Sequence, residues 1–314
     1  MSEEMRRPAT AESAIESFRN YLTTETTTKS RTIVDYCNTL GVVVRFFRAN
    51  GRSCMPWEIT QEDVNWLITS MMERNLKVST RRSYVTPLRL WCLYYGNDKP
   101  AKMKITWPKD KRILRDWLSD HQARRLLSLD MTPNEELLVH CELCLGMRRI
   151  EVLRLTVKSF YDGFVEIIGK GSQDGKPRTM PFHRDTARVV NRYMEYRRSL
   201  VSLAKSVRPK TTVVPDDLLI YLRGNTIKTY SEKGSGLDEW IKKLGSRIGY
   251  DELSNHTLRR TFGREMWKSL VAKGRDFASI IVGKMMGIED EKTLIGYLGI
   301  DLDDMSKAME DFNL

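Results

Sequence analysis

Apolar residues recur at intervals of three and four throughout the first hundred residues, and this spacing restricts the fold more than any other feature. It places the apolar side chains on one face of a helix in each of four segments, at about residues 15–22, 33–47, 60–71 and 79–95. No part of this region alternates apolar and polar residues as a half-buried strand would. Helices with one apolar face are stabilised by packing against each other. The sequence therefore predicts a four-helix N-terminal bundle.

The rest of the chain indicates a connector followed by a larger domain. Residues 99–113 combine two prolines with many lysines, a composition typical of an exposed basic linker. Helical spacing then returns and gives way, over 164–182, to short β segments around a glycine-rich turn. We therefore expect a mainly α protein of two domains. The helical bundle would extend over 1–98, and an α-rich domain with a small antiparallel β-sheet over 114–314.

Charge is distributed unevenly along the chain. The formal net charge is +11, and residues 74–112 hold eleven Lys and Arg against two acidic residues, whereas residues 289–314 hold eight acidic residues against two lysines. A basic excess of this kind favours a polyanionic partner such as nucleic acid, although an ordinary solvated connector has the same composition. The candidate DNA contacts, on the fourth helix and in the linker, are Arg81, Arg82, Arg89, Lys102 and Lys104.

The sequence contains neither a long apolar run nor the apolar core of a signal peptide. We therefore expect an intracellular, cytoplasmic protein that acts without a membrane. The five cysteines have no spacing typical of a disulfide framework. Cys141 and Cys144 form a CxxC motif, but no second ligand pair lies at a distance suited to zinc, so packing in a core is the better interpretation.

The segment NHTLRRTF places a histidine and an arginine close together. On a helix His256 and Arg259 share one face because they lie three residues apart, while Arg260 turns aside. An imidazole and a guanidinium held this close indicate an anion as their ligand. Taken alone, each residue could equally be structural. Three further motifs in a fixed order favour function, namely GMRRIE, GKG and MMGIEDEKTLIGY.

Together these four motifs resemble the boxes of the tyrosine recombinases. LGMRRIEVLRL is similar to the family's Gly-Leu-Arg-x-x-Glu-Leu-x-x-Leu box and aligns its first catalytic arginine with Arg148. IIGKGSQDGKPRTMPF resembles the hairpin that carries the catalytic lysine, here Lys170. HTLRRTF is similar to the His-x-x-Arg box and gives His256 and Arg259. MGIEDEKTLIGY resembles the last box, whose nucleophile falls on Tyr297.

The resemblance extends over nearly the whole chain. It identifies residues 1–98 as a core-binding, DNA-binding domain, 99–113 as a basic linker and 114–314 as a catalytic domain with a C-terminal tail helix. It implies double-stranded DNA with a specific recombination site as the partner. It also implies a homotetramer on that DNA, assembled through exchange of the tail, although packing of the tail on its own chain is an equal alternative.

The implied reaction cleaves and rejoins DNA through a 3′-phosphotyrosyl intermediate, and the residue types suit it. Arg148 and Arg259 would stabilise the charge that develops on the non-bridging phosphate oxygens. His256 would donate a hydrogen bond or accept a proton. Tyr297 would attack the phosphorus, and Lys170 would protonate the leaving 5′-oxygen. This set requires no metal ion, other cofactor or ATP.

One position departs from the family pattern. Ile288 follows the glycine of the last box, where His or Trp is usual, and it offers no hydrogen-bond donor to a phosphate. This departure keeps open a non-catalytic DNA-binding regulator derived from such an enzyme as an alternative to a site-specific recombinase. A second alternative is DNA relaxation similar to that of type IB topoisomerases, which share much of the catalytic set, although the N-terminal helical domain argues against it. Glu151, on the helical face of Arg148, is expected to be a buried brace without a chemical step.

Overall fold

The computed structural model describes residues 7–108, 117–169, 177–232, 234 and 236–298. Its chain divides into two compact units, Met1–Ile113 and Leu114–Leu314. The described part is mainly helical with small antiparallel sheets, which confirms the predicted fold class. Within the described ranges, no helix is both long enough and apolar enough to span a membrane. The predicted tail helix lies outside the described residues.

The first unit is the predicted helical bundle. Its helices are α1 (Ala11–Thr24), α2 (Ser30–Ala49), α3 (Gln61–Glu73), α4 (Val78–Tyr94) and the short α5 (Asp98–Lys102). A threonine hydroxyl caps the start of α1 and of α3 by accepting a hydrogen bond from the amide three residues on. The apolar faces meet in a core whose largest members are Phe18, Leu40, Phe47, Leu88 and Trp91.

The first part of the predicted linker is packed on this unit. α5 buries Pro100, and Met103, Ile105 and Trp107 are half-buried against the bundle core. These apolar residues alternate with exposed polar ones, so one side of the segment covers the core. The structure therefore differs from an exposed linker as far as residue 107, and residues 109–113 lie outside the described part.

The second unit carries the remaining elements. Its helices are α6 (Asp120–Leu127), α7 (Pro133–Val139), α8 (Arg149–Leu153), α9 (Arg184–Val207), α10 (Gly236–Ile248), α11 (Asn255–Ala272), α12 (Ala278–Met286) and α13 (Glu291–Leu298). A π-helical turn, His140–Cys144, continues α7. An antiparallel sheet of order β1-β2-β3 consists of β1 (Phe160–Tyr161), β2 (Phe164–Ile168) and β3 (Pro177–Pro181), and a separate hairpin consists of β4 (Ile220–Arg223) and β5 (Thr226–Thr229).

The core of the second unit surrounds the start of α11. This helix contacts the π-helical turn, α12 and α13, and it buries Leu258 and Phe262 between them. Cys141 is fully buried and Cys144 half-buried in the same core, as the core-packing interpretation of the CxxC motif predicts. Burial raises the pKa of Cys144 to about 11. Because α8, α11 and α13 carry three of the four motifs, this core brings those motifs together.

Candidate active site

A buried carboxylate, Glu151, lies at the centre of the site. Glu151, in the first turn of α8, is fully buried. Its oxygens accept hydrogen bonds from Arg148 Nη1 at 2.7 Å and from the Arg148 amide at 2.9 Å. Arg178 Nη1 and Nη2 donate to the same carboxylate at 3.1 and 2.8 Å, and Arg259 Nη1 lies 3.7 Å from it. The brace predicted for Glu151 therefore holds three arginines rather than one.

These guanidinium groups keep Glu151 ionised despite its burial. Burial alone raises the pKa of a carboxyl group, but the hydrogen bonds and charge of Arg178, the Arg148 amide and the charge of Arg259 outweigh it, so the pKa of Glu151 is lowered. Arginine side chains stay protonated in proteins. Three positive charges thus surround one negative charge, and the net positive charge of the cluster suits an anionic ligand.

The same arginines hold the C-terminal end of α12. Arg178 Nε, Arg259 Nη2 and Arg148 Nη2 donate to the carbonyl oxygens of residues 285, 286 and 287 at 2.9, 2.5 and 3.3 Å, respectively. The last carbonyls of a helix have no partner within it, and the negative end of the helix dipole lies there. The end of α12 therefore orients the three guanidinium groups and fixes the start of the loop to α13.

Gly287 and Ile288 end α12 with a turn that gives the unusual isoleucine a structural role. Gly287 has φ +60°, which glycine adopts without strain, and a Cβ there would lie 3.2 Å from Arg178 Nη1. The Ile288 amide donates to the Gly283 carbonyl at 2.9 Å. Its half-buried side chain packs against the core, an apolar contact that commonly accompanies this type of helix end. Ile288 therefore packs, and its side chain adds no donor to the site.

Arg259 is the most deeply buried of the three arginines. Its side chain is 1% exposed, and its Nη1 donates to the Gly146 carbonyl. Its Nε has no hydrogen-bond partner among the described residues. Burial, followed by the adjacent charge of Arg148, lowers the pKa of Arg259, while Glu151 opposes this shift. A buried donor without a partner is costly, and this Nε remains free to donate to an anionic ligand.

Tyr297 and His256 lie beside this guanidinium. The Cζ of Arg259 is 5.6 Å from the centroid of the half-buried Tyr297 ring, within the range of a cation–π interaction. His256 is accessible to solvent, yet partial burial lowers its pKa, and the positive charges of three arginines, among them Arg259 and Arg148, lower it further. At neutral pH its ring is therefore mainly uncharged and can donate one hydrogen bond and accept another.

Gly146 allows the first box to approach α11 closely. It has φ +60°, and a Cβ at this position would lie 2.2 Å from the Phe262 ring. Any side chain here would therefore displace the Phe262 ring or push α11 away. Because the Gly146 carbonyl also accepts the hydrogen bond of Arg259, this close contact places Arg148, two residues further on, next to Arg259.

The structure brings together four of the five residues predicted to be catalytic, namely Arg148, His256, Arg259 and Tyr297. The fifth, Lys170, lies outside the described residues. The strands on either side of it are described, and Ile168 at the end of β2 pairs with Pro177 at the start of β3. Arg154 Nη1 donates to the carbonyl of Gly169 at 3.2 Å, which fixes the chain directly before Lys170.

The basic residues predicted to contact DNA belong to the first unit and differ in accessibility. Three are exposed, namely Arg82, Lys102 and Lys104. Arg89 is half-buried and donates to the Ala101 carbonyl. Arg81 is only 8% exposed because it lies on the buried face of α4 with Val85 and Leu88. All five stay predictions, and Arg81 is the least accessible of them.

Arg178 is the site residue that the motifs did not single out. It lies in β3 opposite Ile167 of β2 and two residues before the buried Met180. Alternate residues of a strand point to the same face, so an arginine at this position points inward. The signal available in the sequence was this alternation, which places Arg178 on the same strand face as the apolar Met180.

The arrangement combines a cationic pocket with a nucleophile. Two or three guanidinium groups can stabilise negative charge on phosphate oxygens, and the neutral imidazole of His256 can transfer or hold a proton. The phenol of Tyr297 stands beside them and becomes a nucleophile when its proton is removed. This is a geometry for nucleophilic attack on a phosphodiester.

Comparison with known proteins agrees with this geometry. Residues 116–297 match the phage integrase family. The similar proteins include the tyrosine recombinase XerA of Saccharolobus solfataricus, 24% identical over 262 residues that cover 80% of this chain and 77% of XerA. They also include the tyrosine recombinase XerD of Chlorobaculum tepidum, 25% identical over 290 residues that cover 87% of each chain.

Solved structures show the same fold. The Tn1549 transposon integrase in complex with transposon right end DNA has a TM-score of 0.66 at 15% identity, covering 95% of this chain and 98% of that one. A lambda integrase dimer bound to a COC′ core site has a TM-score of 0.63 at 13% identity, covering 91% of this chain and 94% of that one. With a match over more than half of its length, this chain belongs to the phage integrase family, the family of the tyrosine recombinases.

Proposed function

We propose that this chain is a site-specific DNA recombinase that cleaves and rejoins DNA through a 3′-phosphotyrosyl intermediate. The observation that carries the proposal is the convergence of Arg148 and Arg259 on one buried carboxylate, Glu151, with the Tyr297 ring against Arg259. Preorganised cations stabilise a phosphoryl transition state without reorganising during the reaction. Membership of the family supports the same reaction.

In the cleavage step, the Tyr297 oxygen attacks the phosphorus and the bond from phosphorus to the 5′-oxygen breaks. Arg148 and Arg259 stabilise the charge on the non-bridging oxygens. His256, mainly uncharged at neutral pH, accepts the phenol proton or hydrogen-bonds the phosphate. Lys170 gives a proton to the leaving 5′-oxygen, a role that rests on the family resemblance of its motif.

Rejoining is the same step in reverse. A 5′-hydroxyl from a partner strand attacks the phosphotyrosyl bond, and Tyr297 leaves with its proton restored. The number of phosphodiester bonds is unchanged, so the reaction needs no ATP. Metal ions are likewise not part of this scheme, because the cations that stabilise the phosphate are arginines of the chain.

The proposed partner is duplex DNA with a specific recombination site. The first unit supplies exposed basic residues that suit the phosphate backbone, among them Arg82, Lys102 and Lys104. We further propose that four copies assemble on DNA through exchange of the acidic C-terminal tail. The integrase and recombinase structures of this fold include a dimer on DNA and a tetramer on a Holliday junction, which supports this part of the proposal. A DNA substrate implies a place of action inside the cell.

A plasmid assay tests the function and separates it from its alternatives. The protein is incubated, in the presence of a chelator, with a supercoiled plasmid that carries two directly repeated copies of the DNA flanking its own gene. A recombinase releases two smaller circles. Relaxation of the plasmid without exchange would indicate an enzyme similar to type IB topoisomerases, and tight binding without either product would indicate a regulator. Both of these outcomes would contradict the proposal.

A further inference from the structure

Another buried arginine on α11 contacts the end of the helix that carries Tyr297. Arg264 is 8% exposed, and its Nη1 donates a hydrogen bond to the carbonyl of Leu298 at 2.8 Å. Leu298 follows Tyr297 and is the last residue of α13. Arg264 therefore contacts the backbone directly next to the proposed nucleophile, although it belongs to none of the motifs.

This contact holds an end of α13 that has no partner within the helix. The last carbonyls of a helix are unpaired, and a cation beside them interacts favourably with the helix dipole. α13 has only eight residues, too few to be stable on its own in water, so its position depends on its tertiary contacts. At the other end the Asp290 carboxylate accepts a hydrogen bond from the Thr293 amide at 2.7 Å. The helix is thus fixed at both termini, and Arg264 is the contact nearer to Tyr297.

Arg264 is itself held in place by the start of the second unit. Its Cζ lies 4.0 Å from the centroid of the Trp117 ring, a favourable cation–π distance. The amide of the next residue, Leu118, donates to Thr261 Oγ1 at 2.9 Å, which fixes this segment on α11. Without such support an arginine side chain would lose considerable rotamer entropy on making a single contact. Trp117 therefore supports the bond from Arg264 to Leu298.

Helix geometry separates Arg264 from the anion site. Arg259 and Arg264 lie five residues apart, which rotates their side chains by about 140° around α11. Arg259 lies against the Tyr297 ring and the end of α12, whereas Arg264 contacts the carbonyl that follows Tyr297. The two arginines thus act on α13 at different points, and Arg264 is not one of the groups that surround Glu151.

We propose that Arg264, supported by Trp117, is a positioning residue that sets the approach of the Tyr297 hydroxyl to the scissile phosphate. The inference rests on the proposed function of Tyr297 as the nucleophile. In-line attack requires the oxygen at about 3–3.5 Å from the phosphorus, and misplacement by about 1 Å can slow a reaction about 100-fold. Losing the contact to Leu298 frees the end of α13, so cleavage slows while DNA affinity is unchanged.

Variants of both residues test this in the full-length protein. Arg264→Leu removes the contact to Leu298, and Arg264→Lys keeps the charge but shortens the side chain. Trp117→Leu removes the aromatic support of Arg264, and Trp117→Phe keeps it. Lys268→Gln is the matched control because Lys268 is an exposed cation on the same helix whose ion-pair partner among the described residues is Glu265. Each variant is assayed for DNA affinity and for single-turnover cleavage of a duplex built on the cleavage site mapped with the wild-type protein.

Two further measurements distinguish positioning from a general structural effect. The first is cleavage of a duplex with sulfur in place of the bridging 5′-oxygen, because a thiolate leaves without needing a proton and therefore compensates for a defect in the general acid. The second is hydrogen exchange of the backbone amides of 291–298, which reports how firmly α13 is held.

We expect Arg264→Leu and Trp117→Leu to cleave about 10- to 100-fold more slowly, with DNA affinity within about twofold of wild type, faster amide exchange in α13 and no rescue by sulfur. Arg264→Lys should be intermediate, and Trp117→Phe and Lys268→Gln should match wild type. Three results would each overturn the inference while leaving the proposed function intact. They are wild-type cleavage rates in both leucine variants, rescue of cleavage by sulfur, and a loss of DNA affinity as large as the loss of cleavage. A wild-type protein that forms no covalent adduct overturns the proposed function itself, and the role of Arg264 with it.

Discussion

Replacing Glu151 with glutamine tests the carboxylate on which the candidate active site is built. The substitution keeps the size of the side chain but removes its charge. It also turns one acceptor oxygen into an amide donor that faces the guanidinium groups of Arg148 and Arg178. Two of the hydrogen bonds to the carboxylate are thereby lost, and the three arginines are left without their negative partner.

The expected loss of stability is large because Glu151 is fully buried. Removing one partner of a buried, hydrogen-bonded ion pair costs about 3–5 kcal/mol. We therefore expect the free energy of unfolding of the Glu151→Gln protein at pH 7 to fall by about that amount. Glu166→Gln is the control, since Glu166 is an exposed carboxylate on the neighbouring strand β2, and surface substitutions of this kind change stability by less than about 0.5 kcal/mol.

The pH dependence of this difference gives a second test. The pKa of Glu151 is lowered in the folded protein from its usual value of 4.5. The ionised carboxylate therefore contributes its full stability above the unfolded pKa, and the contribution is lost as the pH falls through the folded pKa. The difference in the free energy of unfolding between wild type and Glu151→Gln should therefore shrink as the pH falls from about 5 to about 3.

Urea unfolding of the full-length variants measures both the loss of stability at pH 7 and its change with pH. The data are fitted with separate transitions for the two units. A Glu151→Gln protein within about 1 kcal/mol of wild type at pH 7 would refute the central role of the carboxylate. So would a difference between the two proteins that stays constant down to pH 3.

Three further substitutions probe neighbouring parts of the site. Gly146→Ala should lower the free energy of unfolding by at least about 2 kcal/mol in urea, because a side chain at φ +60° is strained and its methyl group would meet Phe262; a smaller loss would show that α11 can shift freely. Arg178→Met should slow single-turnover cleavage at saturating DNA by about tenfold or more, since it removes the hydrogen bonds to Glu151 and to the end of α12. An unchanged rate would show that Arg178 serves only in packing. Ile288→Ala should cost about 1–2 kcal/mol of stability in the same urea assay and leave the cleavage rate unchanged; slower cleavage in a stable protein would assign Ile288 a role in the reaction.

Local sequence signals predicted the parts of the fold that depend on local contacts. The apolar spacing of the first hundred residues predicted the four main helices to within a few residues. The start of α3 is likewise fixed locally, by a capping box between Thr60 and Asp63. The i, i+3 spacing of His256 and Arg259 does place both on α11 facing the same region. In each case the physical cause lies within one or two helical turns, so a single segment contains the information.

Contacts between distant segments could not be read in the same way. Arg178 reaches Glu151 because of the register of β3 on β2, and no single motif contains that register. The hairpin of β4 and β5 was missed, although a glycine and an asparagine separate its strands as in a tight turn. Arg81 was predicted to face DNA from its charge, but its position on the apolar face of α4 buries it. Burial and the register between distant segments therefore determine contacts that composition alone does not predict.

Covalent trapping tests most directly whether this site performs phosphoryl transfer. The protein is incubated with supercoiled DNA that carries the region flanking its own gene, the reaction is stopped with detergent, and the nucleotide-bearing peptide is sequenced. We expect an adduct on the peptide that contains Tyr297, attached to the 3′-phosphate of the cleaved strand and absent in Tyr297→Phe. An adduct on a different residue, or one of equal yield in Tyr297→Phe, would contradict the assignment of Tyr297 as the nucleophile.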